Sequence, residues 1–323
     1  YMYQKFQADQ LFTGKTLLQS HSTNEHGQRL ASPVLIVKDN GVVESIVDIG
    51  EAGDDVQQLK GLLTPGLVNS HCHLELSHMK NKIPAHTGLQ EFVKQIVALR
   101  KVDPQEIEVA IEMAEAEMYQ NGIVAVGDIC NTLDTLAQKK KKNIAYYNFV
   151  EVYDLDPSRS KDRFNSGLEN QLQYERAGLK ASINPHAPYS VSYALWELLS
   201  NHFDDHTITM HNQETKDEND FFETKTGSFL GMYERTQVSL DFFNPTGKSS
   251  VQSMLPYLQK AHSGILVHNS FTSINDVRGV NQTMQNAFWC LCPNANQYIE
   301  QTMPPIELLR KENANIILGT DSY

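Results

Sequence analysis

The stretch LLTPGLVNSHCHLELSHMK, residues 62–80, runs from an apolar segment straight into His71-Cys72-His73, with Glu75 just beyond. Two imidazoles are a poor filling for a buried strand, because each carries nitrogens that burial leaves in need of partners. Side-chain alternation sends His71 and His73 to the same side of a strand, with Cα atoms roughly 6.6 Å apart. Both rings can then turn toward one cation. Similar residues recur where other apolar runs end: His186, His211 with Glu214 three residues later, His268, and Asp321. Imidazole nitrogen and carboxylate oxygen are the usual ligands of a catalytic zinc site, which keeps one position for water. A single histidine in a strand is most simply a packing or surface residue. Recurrence at matching strand ends is what argues for a metal. His21, His26, His202, His206 and His262 read as surface or helix-end residues, His78 and His86 as loop residues after the first strand.

The elements that must position these side chains can be read from the pattern. Eight strand candidates follow one another: GLLTPGLVNSH, IVAVGDI, IAYYNFVEV, LKASINPHAP, TITMHNQ, GILVHNS, NAFWCLCP and NIILGTDS. Amphipathic helices lie between them. Thr87 with Gln90 predicts a capping box for a helix bearing Leu89, Phe92, Val93, Ile96 and Leu99 on one face. Asp103-Pro104 predicts an N-cap and first turn for a second helix, which ends at Asn121-Gly122. Alternating strands and helices predict a parallel sheet, and eight such units an α/β fold of the (β/α)8 TIM-barrel kind, whose active site lies at the C-terminal ends of the strands. Residues 62–323 form this predicted barrel, which ends directly after the eighth strand, as if cut short there. Residues 1–61 read as a small β-domain, with Asn40-Gly41 as a hairpin turn. Lys139–Lys142 are expected at a solvated helix C-terminus, where cations suit the helix dipole. Cys290 and Cys292 read as packing.

The 323 residues are 40% apolar, enough for a substantial core, and carry a net charge of −12. That charge argues against nucleic acid. There is no apolar stretch long enough for a membrane span and no secretory signal. Four cysteines do not make a disulfide framework. The expectation is a cytoplasmic protein acting on a small molecule, its oligomeric state open and a homodimer included. His73-Leu74-Glu75 matches half of the zinc cytidine deaminase pattern, but CLCPNAN has the wrong order and spacing for the other half. No His-Glu-x-x-His, Gly-x-Ser-x-Gly or phosphate-binding glycine loop is present.

The pieces PGLVNSHCHLE, NPHAPYSVS, HNQE, LVHNS, CPNANQYI and GTDS, in this order, resemble the amidohydrolase superfamily. The similarity is to its branch of nucleobase and nucleoside deaminases and s-triazine hydrolases. The resemblance implies a barrel with a β-sandwich built from both chain ends. It also implies one divalent metal, zinc with iron or manganese as alternatives, held by His71, His73, His211 and Asp321. Strand four ends NPHAPYS without a bridging lysine, which favours a single metal. By resemblance Asp321 takes a proton from the water on the metal and His268 orients that water. Glu214 shuttles protons to a ring nitrogen and to the departing amine, since ammonia cannot leave unprotonated. Chloride leaves without a proton, so this glutamate favours deamination over dechlorination. His186 and Glu75 are implied substrate contacts, and Asn131, Glu151, Tyr153 and Asn296 are strand-end residues that could line the pocket. The expected activity is deamination of an adenine nucleoside-type compound, such as S-adenosylhomocysteine or 6-aminodeoxyfutalosine. Guanine, cytosine or pterin deamination and cyclic amide hydrolysis stay open, while a non-catalytic scaffold is disfavoured because every ligand position is filled.

Overall fold

Short β-branched runs broken by turn residues dominate the beginning of the chain, and they fold as short strands. In the computed structural model, which describes residues 3–24, 26–203 and 206–322, these are β1 (Tyr3–Gln7), β2 (Gln10–Phe12), β3 (Leu17–Leu18), β4 (Pro33–Lys38), β5 (Val43–Asp48), β6 (Gln57–Gln58) and β7 (Leu62–Leu63). They make two sheets, ordered β5-β4-β1-β6 and β3-β2-β7. The hairpin at Asn40-Gly41 forms: β4 and β5 are antiparallel, with Val34 opposite Val47. Its turn needs Gly41, whose φ is 81°. Leu11, Leu18 and Leu30 are the buried centre of this unit.

The compact units divide as Tyr1–Leu67 and Val68–Tyr323, later than the sequence pattern suggests. Pro65, which lacks an N–H for a ladder, and Gly66 interrupt what reads as one strand. Leu62–Leu63 pair with β2 of the small unit, and a separate strand, β8 (Leu67–Cys72), follows.

The second unit alternates strand and helix as expected. Its further strands are β9 (Ile123–Cys130), β10 (Ala145–Val152), β11 (Lys180–Pro185), β12 (Thr207–Asn212), β13 (Ser263–His268), β14 (Ala287–Leu291) and β15 (Asn315–Leu318). Its helices are α1 (Leu89–Leu99), α2 (Pro104–Gln120), α3 (Leu136–Lys139), α4 (Ser160–Arg176), α5 (Tyr193–Ser200), α6 (Lys216–Thr224), α7 (Phe229–Thr236), α8 (Ser250–Leu258), α9 (Ile274–Thr283), α10 (Pro293–Glu300) and α11 (Ile306–Lys311). The strands form two four-stranded sheets, β11-β10-β9-β8 and β12-β13-β14-β15, parallel within each. Hydrogen bonds cross both seams between them. His211 N donates to His186 O at 2.9 Å, and Thr320 N and Asp321 N donate to His71 O at 3.0 Å. The largest buried cluster gathers Trp196, Trp289, Phe221, Phe222 and Phe229. Among the described residues no helix is long and apolar enough to cross a membrane.

Two local expectations need correction. Thr87 and Gln90 form no capping box: Gly88, at φ 74°, is the N-cap of α1 and no cap side chain bonds the helix. Leu89 N donates instead to Glu300 Oε1 of α10, at 2.5 Å. Lys139 is not solvated; its ammonium is fully buried against the Asp128 carboxylate, between the rings of Tyr146 and Tyr174. Only Lys140–Lys142 are exposed. The Asp103 cap does form, accepting from Gln105 N, with Pro104 in the first turn.

Candidate active site

Each cluster residue sits where a parallel strand gives way to loop. His71 is in the last turn of β8 and His73 just past it, while His211 lies in β12 and His268 ends β13. Asp321 follows β15. Gly319 lets that last segment close in: a Cβ there would lie 2.8 Å from His71 Cβ. Several of these residues hold left-handed backbone: φ is 74° at His268, 60° at Asn269, 61° at Asp321 and 48° at Gln213. Non-glycine residues pay roughly 1–3 kcal/mol for such conformations, which persist where surrounding bonds over-determine them. Here Asn269 Nδ2 donates to Leu266 O and Cys290 O, and Asn212 Nδ2 donates to Asn269 Oδ1.

The result is a dense, buried polar group. One ligand atom each from His71, His73, His211 and Asp321 falls within 4.8 Å of the others. Asp321 Oδ1 lies 3.2 Å from both His71 Nε2 and His73 Nε2, and the Nε2 atoms of His73 and His211 are 3.3 Å apart. Burial pushes the His71 imidazole down to about 4, and His211 well below its usual value, with neighbouring imidazoles adding to the effect. Burial also opposes charge on His73, but the hydrogen bond and charge of Asp321 prevail and lift it to about 9. Burial would raise Asp321, yet its bonds to His71 and His73 hold it well below the usual carboxylate range.

This set fits a divalent metal. Three imidazoles and one carboxylate are the right donors, and they converge with no lysine or arginine among them. The carboxylate of Asp321, which lifts His73, favours positive charge at this point. The outer nitrogen of His211 is oriented as a metal-binding histidine requires. His211 Nδ1 lies 2.9 Å from His186 O and 3.4 Å from Glu151 Oε2.

His268 and Glu214 stand beside the group. Asn296 Oδ1 accepts from His268 Nδ1 at 2.8 Å, which fixes the tautomer and leaves Nε2 as an acceptor. That Nε2 is buried with no hydrogen-bond partner and lies 3.6 Å from Glu214 Oε2. Burial, then the charges of Asp321 and Glu218, keep the Glu214 carboxyl well above its usual value. It therefore holds a proton more readily than an ordinary glutamate, as a proton donor must. A cavity of about 60 Å³ opens over the group, lined on this side by His73, His186, His211, Glu214, His268 and Asp321. His186 Nδ1 is fixed by Ser190 Oγ at 2.6 Å.

A profile of the amidohydrolase family matches residues 62–323. The chain belongs to the amidohydrolase family. Among individual relatives, adenosine deaminase of Helicobacter pylori is 24% identical over 306 residues, 88% of this chain and 72% of that protein. The solved structure of Helicobacter pylori aminofutalosine deaminase in complex with methylthio-coformycin superposes with a TM-score of 0.78 at 20% identity, over 99% of this chain and 77% of that one. An adenosine deaminase from Xanthomonas campestris with bound zinc gives a TM-score of 0.72 at 17% identity, over 98% and 68% respectively. These likenesses are to the fold of the amidohydrolases, and the geometry above is this member's own.

Four residues anticipated as substrate contacts do not line the cavity. Glu75 is buried, its carboxylate accepting from Arg100, from the backbone N of Asn131 and Thr132, and from Thr132 Oγ1. Asn131 Nδ2 donates to Glu151 Oε1 at 2.9 Å. Glu151 and Asn296 stand against His211 and His268 as described. Tyr153 is half-exposed, edge-on to His186 at 6.1 Å. His78 is buried and faces a different groove, between the 3-10 turn at residues 74–79 and α2. Residues not anticipated include Glu218, whose Oε1 accepts from Gln213 N at 3.0 Å and so fixes the segment leading to Glu214. The apolar face of α1 over the cavity was visible as a helical stripe, but its destination was not.

Proposed function

We propose that the chain is a metal-dependent aminohydrolase that deaminates an amino-substituted heterocycle, and that its substrate is an adenine nucleoside-type compound. In this reading the two parallel sheets close as an eight-stranded (β/α)8 barrel, and residues 1–61 contribute to a β-sandwich. His71, His73, His211 and Asp321 hold one divalent ion, zinc in the first instance. Bound there, it supplies Lewis acidity and a water acidic enough to attack near neutral pH.

The chain's own groups do the rest. The Asp321 carboxylate would accept the proton of the attacking water. His268 Nε2, held by Asn296, orients that water by accepting its hydrogen bond. Glu214 donates its proton to a ring nitrogen as the carbon becomes tetrahedral, takes the proton of the new hydroxyl as the carbonyl forms and delivers it to the amine, which departs as ammonia; the proton left on Asp321 recharges Glu214. His186, fixed by Ser190, faces the ring.

The single observation carrying this reading is Glu214: a buried carboxyl held well above its usual pKa, lining the cavity, 3.6 Å from the unpartnered His268 Nε2. The names of the relatives, adenosine deaminase and aminofutalosine deaminase, support the ring class. All four cysteines are free and buried, which suits work in the reducing cytoplasm. The test is ammonia release by the metal-loaded protein from adenosine, 5′-methylthioadenosine, S-adenosylhomocysteine, 6-aminodeoxyfutalosine, guanine, cytosine and a pterin. Turnover concentrated in the adenine compounds is expected. Silence across the panel with metal bound would overturn deamination and leave cyclic amide hydrolysis.

A further inference from the structure

The cavity over the site is divided in chemistry. One wall carries the histidines and carboxyls. The other is built by Leu89, Phe92, Val93 and Ile96 of α1, with Leu76 and Ile299 beside them. No charged group lies on that second wall. The volume, about 60 Å³, has room for about two waters at roughly 30 Å³ each. Ring-sized ligands occupy sites on the order of 300 Å³ or more. The enclosed part of the site is therefore smaller than a ring needs, so a bound ring either displaces part of this lining or extends to the open side of the cavity.

α1 is the element that carries this second wall. It presents Lys94, Val97 and Ala98 to solvent on its far side. It starts at Gly88, a left-handed glycine at φ 74°, and has no cap of its own. Its apolar face packs on the main buried cluster, Gln90 Oε1 accepts from Arg235 Nη2 at 3.3 Å, and polar contacts hold its two ends. At its start Leu89 N donates to Glu300 Oε1, and Gly88 N to Ile299 O at 3.1 Å. At its end the capping residue Arg100 reaches the buried Glu75 carboxylate. The contact at its start is a neutral-to-charged hydrogen bond and the one at its end an ion pair with a buried carboxylate. The apolar face of α1 is what favours its return.

We propose that α1 is a lid that lifts to admit the ring and then lays Leu89, Phe92, Val93 and Ile96 on the ring's substituent, so that the enzyme selects substrates with a small, apolar, uncharged tail. A zwitterionic or anionic tail would be enclosed against this wall without a partner, which burial penalises strongly. The selection rests on the deaminase reading above, whereas the lid does not.

The experiment uses the complete, metal-loaded protein and two probes with the same ring: 5′-methylthioadenosine, whose tail is apolar, and S-adenosylhomocysteine, whose tail is a zwitterion. We expect kcat/KM to favour the first by at least about tenfold. Val93→Lys should lower kcat/KM for the apolar probe and narrow the ratio, while Val93→Ile keeps it. Equal kcat/KM for the two probes in the wild type would overturn the selection. Hydrogen exchange supplies the readout that needs no turnover. In the free protein, amides of residues 89–99 should exchange at least about tenfold faster than those of the packed helix α5, and saturating 5′-methylthioadenosine should slow them. Protection of α1 equal to that of α5 in the free protein would overturn the lid. If neither probe is deaminated the tail selection falls, the rest of the panel judges the deaminase reading, and exchange alone judges the lid.

Discussion

Two buried aspartates in the same unit have opposite surroundings. Asp128, at β9, is fully buried and meets the ammonium of Lys139, which is equally buried; its Oδ1 also accepts from Leu74 N at 2.8 Å. Asp321, at β15, is also buried but meets only imidazoles. The first carboxylate has its cation built into the chain. The second has a ring of imidazoles that are neutral-capable donors and no built-in lysine or arginine. A buried charge needs a partner, so the difference identifies which site is complete and which is arranged to receive a cation from outside.

Several measurements would break or sharpen that contrast. The largest effect is expected from His71→Ala. Metal analysis should find the bound ion lost and activity gone, while the metal-free protein melts no lower than metal-free wild type. A full metal complement in this variant would remove His71 from the ligand set. Glu214→Gln should keep its metal and lose about a thousandfold or more in kcat, because the amide cannot carry a proton between ring and amine. Near-normal turnover would end that assignment.

Lys139→Met tests the other aspartate. Leaving Asp128 unpaired should cost about 3–5 kcal/mol in denaturant unfolding, with most of it recovered in the Asp128→Asn/Lys139→Met double variant. Metal content per folded molecule should not change. A smaller effect is expected at a third buried carboxyl. Burial lifts Glu218 to about 7, so the folded state binds its proton more tightly than the unfolded chain does. Stability should therefore be fully present below pH 4.5 and decline as pH rises through 7, by roughly 3 kcal/mol at most. Melts of the metal-free protein across this range should show that slope, and Glu218→Gln should flatten it.

What could be read from sequence follows one physical division. His71, His73, His211, His268 and Asp321 were legible because each interrupts an apolar run at the same place in a strand–helix unit. Periodicity carries that information locally. What stayed hidden depends on partners remote in sequence. Thr87 and Gln90 have the composition of a capping box, but Glu300 caps α1 from the other end of the unit. Lys139 looks like its three solvated neighbours until Asp128 is brought against it. Glu75 has the position of a substrate contact, and only the fold reveals that Arg100, Asn131 and Thr132 already occupy its oxygens. Asn296 reads as a pocket residue for the same reason, since its partner is His268 at the end of β13, while Asn296 itself lies in α10.

The left-handed backbone at His268, Asn269 and Asp321 has a consequence for how this protein can be engineered. Glycine would sit at those positions with less steric conflict than any side chain, so a screen for thermal tolerance alone would drift toward glycine at His268 and Asp321 and reward molecules that are inert. Selection for robustness and selection for turnover pull in opposite directions at these residues. Stabilising changes should be sought in the exposed faces of α2 and α4, where the backbone is relaxed and the chemistry is out of reach.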